Sequence, residues 1–245
     1  TEIYTLSLHD ALPIYVLIDA PRLDLSGTDV FGSGANAGLG YDDSPGTSTI
    51  DLFQGRLRNV FGSSLSDGYT FTTNINVPVE STIRVNALFG GGQGSTSAVP
   101  CDAGEANIFF RGGNAVVDEA IYGGNRDYRR TVNSHVHIYV DPKNINGDLI
   151  DIYGAGYGAE SVAECTHVYL YGGVSVRNVF GGGHDGQVWN AATVGDQYTW
   201  GDPKEADTYG EREHNTNVYI YEGATVTGNA YGGGYGRHAT VSGAT

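Results

Sequence analysis

The feature that most constrains the fold of this chain is a tripeptide that recurs about every 30 residues. It consists of an aliphatic residue or Ala, then Phe or Tyr, then Gly, and its aromatic residues are Phe31, Phe61, Phe89, Tyr122, Tyr153, Phe180 and Tyr231. The spacings between them are 30, 28, 33, 31, 27 and 51 residues. A period of about 20–50 residues is typical of solenoids, propellers and repeat arrays. The sequence therefore predicts one repeat domain.

A short segment in which apolar and polar residues alternate precedes most of these tripeptides. Clear examples are Val136–Ile138, Val168–Leu170 and Val218–Ile220. Alternation places one set of side chains on each face of a strand, so we expect the first and third residues of each segment to point into the core. Asp or Asn stands two residues before the aromatic residue in five of the seven copies. Because Asn and Asp tolerate the left-handed conformation, this position predicts a corner.

Each repeat therefore predicts one coil of three short strands and three corners. Stacked coils pair each strand with its counterpart at about 4.8 Å, and neighbouring coils supply the core that one coil lacks. We predict an all-β protein, a single-stranded parallel β-helix (β-solenoid) of about seven coils, right-handed by the crossover rule for parallel strands. A β-propeller is the alternative, but its blades take about 40–50 residues, so the shorter period favours the solenoid.

The first 14 residues are set apart from this domain. Residues Thr1–Ile14 read TEIYTLSLHDALPI, which resembles, residue for residue, the translation of a sequencing-adapter oligonucleotide. Segments of artefactual origin are excluded from fold prediction, so the solenoid is expected over residues 15–245. The chain begins with Thr and contains no Met. We therefore expect an internal piece of a longer protein that continues into further repeats of the same chain.

Composition and spacing exclude several functions. The chain has 13 Lys and Arg against 28 Asp and Glu, a formal net charge of −15, whereas nucleic-acid binding requires a basic excess. No apolar run approaches the roughly 18 residues of a membrane helix, so no membrane insertion is expected. His and Cys residues lack metal-site spacing, and we predict no metal and no cofactor. Cys101 and Cys165 are expected two coils apart, too far for a disulfide.

The two most regular repeats carry a resemblance to a known family. Val168–Gly183 and Val218–Gly234 each combine an alternating strand, a glycine corner, Asn before an aromatic residue, and a Gly triplet. This pattern resembles the tandem repeats of very large glycine-rich, adhesin-like surface proteins of gut anaerobes. The resemblance implies a structural or adhesive segment of a secreted or cell-surface bacterial protein, with an extracellular location and a glycan or a host or neighbouring-cell surface as partner. It implies no catalytic residues.

Two groups of aromatic residues are candidate ligand-binding sites, because rings stack on the apolar face of a sugar while carboxylates accept its hydroxyls. The first group lies in a long loop expected at residues 184–215: Trp189, Tyr198, Trp200, Asp202 and Tyr209. The second group occupies outward strand positions: Tyr169, Tyr171, Tyr219 and Tyr221. These belong to two predicted columns, one with Phe53 and Tyr139 and the other with Phe109 and His137. The alternative for both groups is structural: rings that hold the loop to the solenoid, and rings that stack as a ladder.

An enzymatic function is the alternative to adhesion. A β-helix polysaccharide lyase or glycoside hydrolase needs a base and a cation beside its substrate. In the only basic cluster, Asp127 could act with Arg129 or Arg130, but a solvated loop is the preferred explanation, because adjacent residues on a loop do not imply converging side chains. The segment around His184–Asp185 resembles part of a calcium-binding nonapeptide but lacks its glycine and its nine-residue recurrence. No site is predicted there.

Overall fold

A computed structural model describes residues 13–35, 39–41, 44–66, 68–94, 101–127, 129–189, 216–237, 239 and 241–242. Within these residues every helix or strand is a β-strand, and no helix is present that could span a membrane. The strands are β1 (Ile14–Leu25), β2 (Val30–Phe31), β3 (Gly40–Tyr41), β4 (Ser44–Pro45), β5 (Thr47–Leu57), β6 (Asn59–Phe61), β7 (Gly68–Val77), β8 (Arg84–Phe89), β9 (Cys101–Phe110), β10 (Val116–Tyr122), β11 (Arg129–Ile138), β12 (Asp151–Tyr153), β13 (Ser161–Leu170), β14 (Ser175–Val176), β15 (Val179–Phe180), β16 (Gln187–Trp189), β17 (Thr216–Ile220), β18 (Thr225–Val226), β19 (Ala230–Tyr231) and β20 (Val241–Ser242).

Strands one coil apart lie side by side and run parallel. One stack contains β1, β5, β7, β9, β11, β13 and β17. A second contains β2, β6, β8, β10, β12, β15 and β19. Between them, β14 pairs with β18. The predicted class is confirmed: the protein is an all-β parallel β-solenoid, and the propeller alternative is not favoured.

The number of coils is smaller than predicted. The structure has about four turns. They correspond to the path from β5 to β13. Along this path every strand of the first stack has a partner on both sides. The strands at the two ends of the stacks, β1 and β17 to β19, each pair with one described strand. Their residues are partly buried or exposed to solvent. The repeat count therefore overstated the number of complete turns.

The core is a continuous column of aliphatic side chains. Val168 and Leu170 are fully buried, as the alternating pattern predicted. Leu170 pairs with Ile138 on one side and Ile220 on the other. Val218 is partly buried against the same core, whereas Ile220 is 46% exposed. Ile220 keeps the register of a core residue, but no described strand covers it on its far side.

The seven aromatic residues of the repeat tripeptide form a second column, stacked in the order of the chain. Adjacent ring centroids lie 4.7–5.1 Å apart, with planes within 13° of each other. The glycine after each of the first six rings allows close approach of coils. A Cβ on Gly154 would overlap the carbonyl oxygen of Gly181 and lie 3.1 Å from Thr166 Cβ. Ring stacking and this missing side chain together explain the tripeptide.

The Asp and Asn residues before the aromatic column do not adopt the predicted left-handed conformation. Among described residues other than glycine, only Asp127 and Asp185 have a positive φ. The side chains link coils instead: Asn178 Nδ2 donates to Asp151 Oδ1 at 2.8 Å, and Asn178 Oδ1 accepts from the Asn229 backbone at 2.9 Å. A corner does lie at Asn178, between β14 and β15, but its expected left-handed conformation was wrong, because these amides and carboxylates bond across coils rather than to their own backbone.

Two predicted boundaries shift. Strand β1 starts at Ile14, which pairs with Ser48, so the last adapter-like residue belongs to the first strand, while residues 1–12 lie outside the described part. Strand β16 falls within the predicted loop at 184–215, and Val188 pairs there with Ala163 of β13. Both β16 and β17 pair with β13. The insertion between these two strands therefore covers only residues 190–215, and it separates two segments that pair with one continuous strand. Those residues lie outside the described part.

Candidate functional site

Outward side chains on and just after β9, β11, β13 and β17 form one continuous surface, the aromatic–histidine face. The parallel register places each outward residue beside its counterpart in the next coil. The face has three columns of four residues: Asn107, His135, His167 and Asn217; Phe109, His137, Tyr169 and Tyr219; and Arg111, Tyr139, Tyr171 and Tyr221.

The central column is a tight ring stack. His137 lies between Phe109 and Tyr169, with centroid distances of 4.9 and 4.4 Å. Tyr169 stacks in turn on Tyr219 at 4.8 Å. Because each ring plane lies within 18° of its neighbour, the ring faces cover one another. The edges and polar atoms of these rings are left to face outward.

The third column combines rings with one cation. Tyr171 stacks between Tyr139 and Tyr221, with centroids 4.2 and 5.3 Å apart. The Arg111 guanidinium lies 4.6 Å from the ring centre of Tyr139, a cation–π distance, and closes the column at its other end. Arg111 also lies 5.0 Å from the ring of Phe109, which joins two columns.

This packing changes what the predicted residues Tyr169, Tyr171, Tyr219 and Tyr221 can do. The structure brings all four together in two adjacent columns, as the sequence predicted. A sugar stacks on a ring face, but the faces of Tyr169 and Tyr171 are occupied by neighbouring rings. Tyr219 and Tyr221, in the last level, are 39% and 46% exposed. The face therefore offers mainly hydroxyl groups and ring edges.

The column through His135 and His167 was not predicted as part of this face. Both residues stand two positions before a central-column residue, and period-two alternation could have identified them. Phe53 was placed in the Tyr139 column, but it lies in β5, three levels from Tyr139, with β7 and β9 between. The stacked column begins instead at Arg111.

The histidines are held by both stacking and hydrogen bonds. His135 and His167 stack with centroids 4.7 Å apart. His137 Nδ1 lies 2.9 Å from the Tyr171 hydroxyl, and Cys165 Sγ lies 3.1 Å from His167 Nε2. These contacts fix the imidazole rings in one orientation along the face.

Burial controls the charge of these histidines. Burial first, and the neighbouring His135 second, lower the pKa of His137 and of His167 to about 4. Burial also lowers the pKa of His135, which Glu105 partly opposes. At neutral pH the imidazoles are therefore uncharged, so Arg111 is the permanent cation of this face.

The loop candidates fall mainly outside the described residues. Trp189 ends β16, and Tyr198, Trp200, Asp202 and Tyr209 lie within 190–215. Their role in sugar binding remains a prediction. Among the described residues, no group of three or more His, Cys, Asp or Glu side chains could hold a metal ion.

Two of the residues considered for lyase chemistry, Asp127 and Arg130, have separate partners. Arg130 forms an ion pair with Glu164, whose side chain is 8% exposed. Asp127 has Arg126 as its cationic neighbour, with Arg126 Nε 3.6 Å from Asp127 Oδ2. The structure thus engages Arg130 with Glu164, whereas the side chain of Arg129 lies outside the described part, so the pairing of Asp127 with Arg129 stays a prediction.

Comparisons with known proteins identify no relative. No protein-family model matches the chain. No curated protein and no solved structure matches it either. The function must therefore be inferred from the solenoid and from the side chains on its surfaces.

Proposed function

We propose that this chain is a structural and adhesive repeat segment of a large secreted or cell-surface bacterial protein. The observation that carries the proposal is the unbroken stacking of equivalent residues, with seven rings in one aromatic column. In such an architecture each coil contacts only its neighbours, so further coils add length while the cross-section stays constant. Seven levels at about 4.8 Å give a rod of roughly 34 Å.

The surface is consistent with this role. The columns of the aromatic–histidine face consist of stacked rings, amides and uncharged imidazoles, with Arg111 as their one charged residue. Stacked rings on adjacent strands stabilise the sheet they belong to. A net charge of −15 favours solubility and disfavours binding to acidic polymers. The proposal includes weak binding of a neutral glycan along the edge that carries the glycine-rich connections.

Coil duplication tests the structural part. Three extra copies of residues 129–160, one coil, should lengthen the particle by about 14 Å at unchanged cross-section, because each coil adds about 4.8 Å. Small-angle X-ray scattering measures both dimensions. A thicker particle of unchanged length would contradict the rod.

Tryptophan fluorescence tests the loop part. Both Trp residues, Trp189 and Trp200, lie at or within the insertion, so emission reports on it directly. A shift on titration with neutral oligosaccharides supports binding by the loop. Emission that is blue-shifted from the start and unchanged by every glycan would contradict it.

A further inference from the structure

The two ends of the solenoid carry most of the exposed apolar side chains. In the described part of the chain twelve large hydrophobic residues are exposed, and eight of them lie in β1 or close to β17 and β19. These eight are Ile14, Tyr15, Leu17, Tyr219, Ile220, Tyr221, Tyr231 and Tyr235. Single exposed apolar residues are normal on a protein surface, whereas a cluster of them indicates a surface that another molecule covers.

The two ends match each other, because both belong to the same repeat. The strand pairs of the first stack run from β1 to β17 without a break, so each paired residue of β1 has a counterpart in β17. Val16 and Val218 share one inward column, and Ile18 and Ile220 share another. A second copy of the chain with its β1 along the outer edge of β17 would continue both columns with parallel strands.

The second stack ends in the same complementary way. In each level the glycine after the ring donates its backbone N–H to the ring residue of the next level, as Gly181 does to the Tyr231 carbonyl at 2.8 Å. The next bond of this series would run from Gly232, and Phe31 of a second copy occupies the matching position of the column. The Phe31 ring would then cover Tyr231, which is 46% exposed.

The glycine after the last ring leaves room for such a coil. A Cβ on Gly181 would lie 2.5 Å from the Gly232 carbonyl oxygen and 2.8 Å from Thr216 Cβ, both in the next coil. A Cβ on Gly232 would have nothing within 4 Å. A coil that approached at the ordinary spacing would fill this space with the carbonyl of its own glycine, which is Gly32 in a second copy.

We infer that the solenoid binds a second copy of itself end to end, with the β17–β19 end of one copy on the β1–β2 end of the next. A second copy is the occupant because its first level supplies the aliphatic column, the aromatic column and the backbone acceptors in one register. An open strand edge is a template for such pairing. The two ends differ, so the contact is head-to-tail and does not close, and association continues into filaments. This self-assembly goes beyond the function proposed above.

Sedimentation velocity over a wide range of protein concentrations tests the contact. The unmodified protein should form a series of oligomers beyond the dimer that lengthens with concentration. Gly232→Ala should keep the fold and the melting temperature, because its methyl group meets nothing within 4 Å and Gly232 is not among the glycines with a positive φ. The same methyl group would collide with the incoming coil, so association should weaken at least about tenfold. Gly113→Ala is the matched control, with equally open space in the connection between β9 and β10, and it should associate like the unmodified protein.

A mixing experiment tests the direction of the contact. The Gly232→Ala protein keeps an unmodified β1 end, so a small fraction of it should add to unmodified copies, stop their growth and shorten the oligomers. A protein that stays monomeric would leave its ends to further coils of the same chain and overturn the inference. Association that stops at a dimer, or equal association by Gly232→Ala, would also overturn it. If coil duplication still lengthens the monomeric particle in scattering, the rod proposal stands and only the self-association fails.

Discussion

The imidazole rings of His135 and His167 stack one coil apart, with centroids 4.7 Å apart and planes within 3°. Stacking at this distance tolerates one charge poorly and two charges worse, because like charges repel across a partly desolvated contact. Burial lowers the pKa of both imidazoles, and for His167 to about 4. Protonation of these rings therefore opposes the fold.

Acid should destabilise the protein through this cluster. The folded-state pKa of His137 and of His167 is about 4, below the ordinary 6.5, so the unfolded chain binds more protons between these values. Stability from this source is present above about pH 6.5 and is lost as the pH falls toward 4. We expect a lower melting temperature at about pH 5 than at about pH 7.5, measured by circular dichroism.

Asparagine provides the matched control for this effect, because Asn107 and Asn217 occupy the same column as His135 and His167. Between the two pH values, the melting temperature of the double variant His135→Asn and His167→Asn should fall less than that of the unmodified protein. Carboxylates titrate in both proteins, so the difference between them isolates the histidines. An identical loss in both would refute the assignment.

Glycine after the aromatic residue should be intolerant of any side chain. Gly154→Ala places a methyl group against the Gly181 carbonyl and Thr166, and such overpacking costs about 1–3 kcal/mol or more. Gly113→Ala is the control, since nothing lies within 4 Å of its added Cβ. Urea unfolding compares the two. Equal free energies of unfolding would show that coil spacing can relax.

Replacement of a core residue should destabilise the protein more than replacement of the surface residue that follows it. Leu170 is fully buried, and Leu170→Ala should lower the free energy of unfolding by about 2–5 kcal/mol. Tyr171 lies on the opposite, outward side with its ring between Tyr139 and Tyr221, so Tyr171→Ala should cost clearly less. The measurement is chemical denaturation of both variants. The reverse order would mean that the outward ladder, rather than the aliphatic column, supports this level.

The adapter-like segment should be dispensable. Deletion of residues 1–13 should leave the melting temperature unchanged, because the first strand begins at Ile14. Deletion through Ile18 should lower it, since Val16 and Ile18 pack against the core. A marked loss from the shorter deletion would show that the segment covers the end of the solenoid.

The positions of the rings in the aromatic column could be predicted from the sequence pattern alone. Every ring from Phe31 to Tyr231 occupies the stacked position that its spacing predicted. The inward position of Leu170 also followed from alternation. Repeat spacing and period-two alternation are properties of the chain read in order. In a solenoid, equivalent residues of successive repeats become neighbours in adjacent coils, so these two properties predict contacts directly.

The candidate surfaces were only partly predictable. The tyrosine columns followed from strand register, but the occupied faces of Tyr169 and Tyr171 depend on ring angles that no sequence pattern contains. The Asn178 side chain bonds to another coil rather than to its own corner. That choice is set by the distance between coils, which short-range propensity does not describe.

The sequence by itself determined the repeat, the strand alternation and the solenoid class, because these depend on spacing along the chain and on which residues are apolar. Only the tertiary structure decided which distant side chains meet. Arg126 and His184 are 58 residues apart (184 − 126), yet they flank the same ring of Tyr157. The physical reason is that the corner geometry and the length of each connection set the register between coils. A shift of one residue in that register would point Arg126 or His184 away from Tyr157.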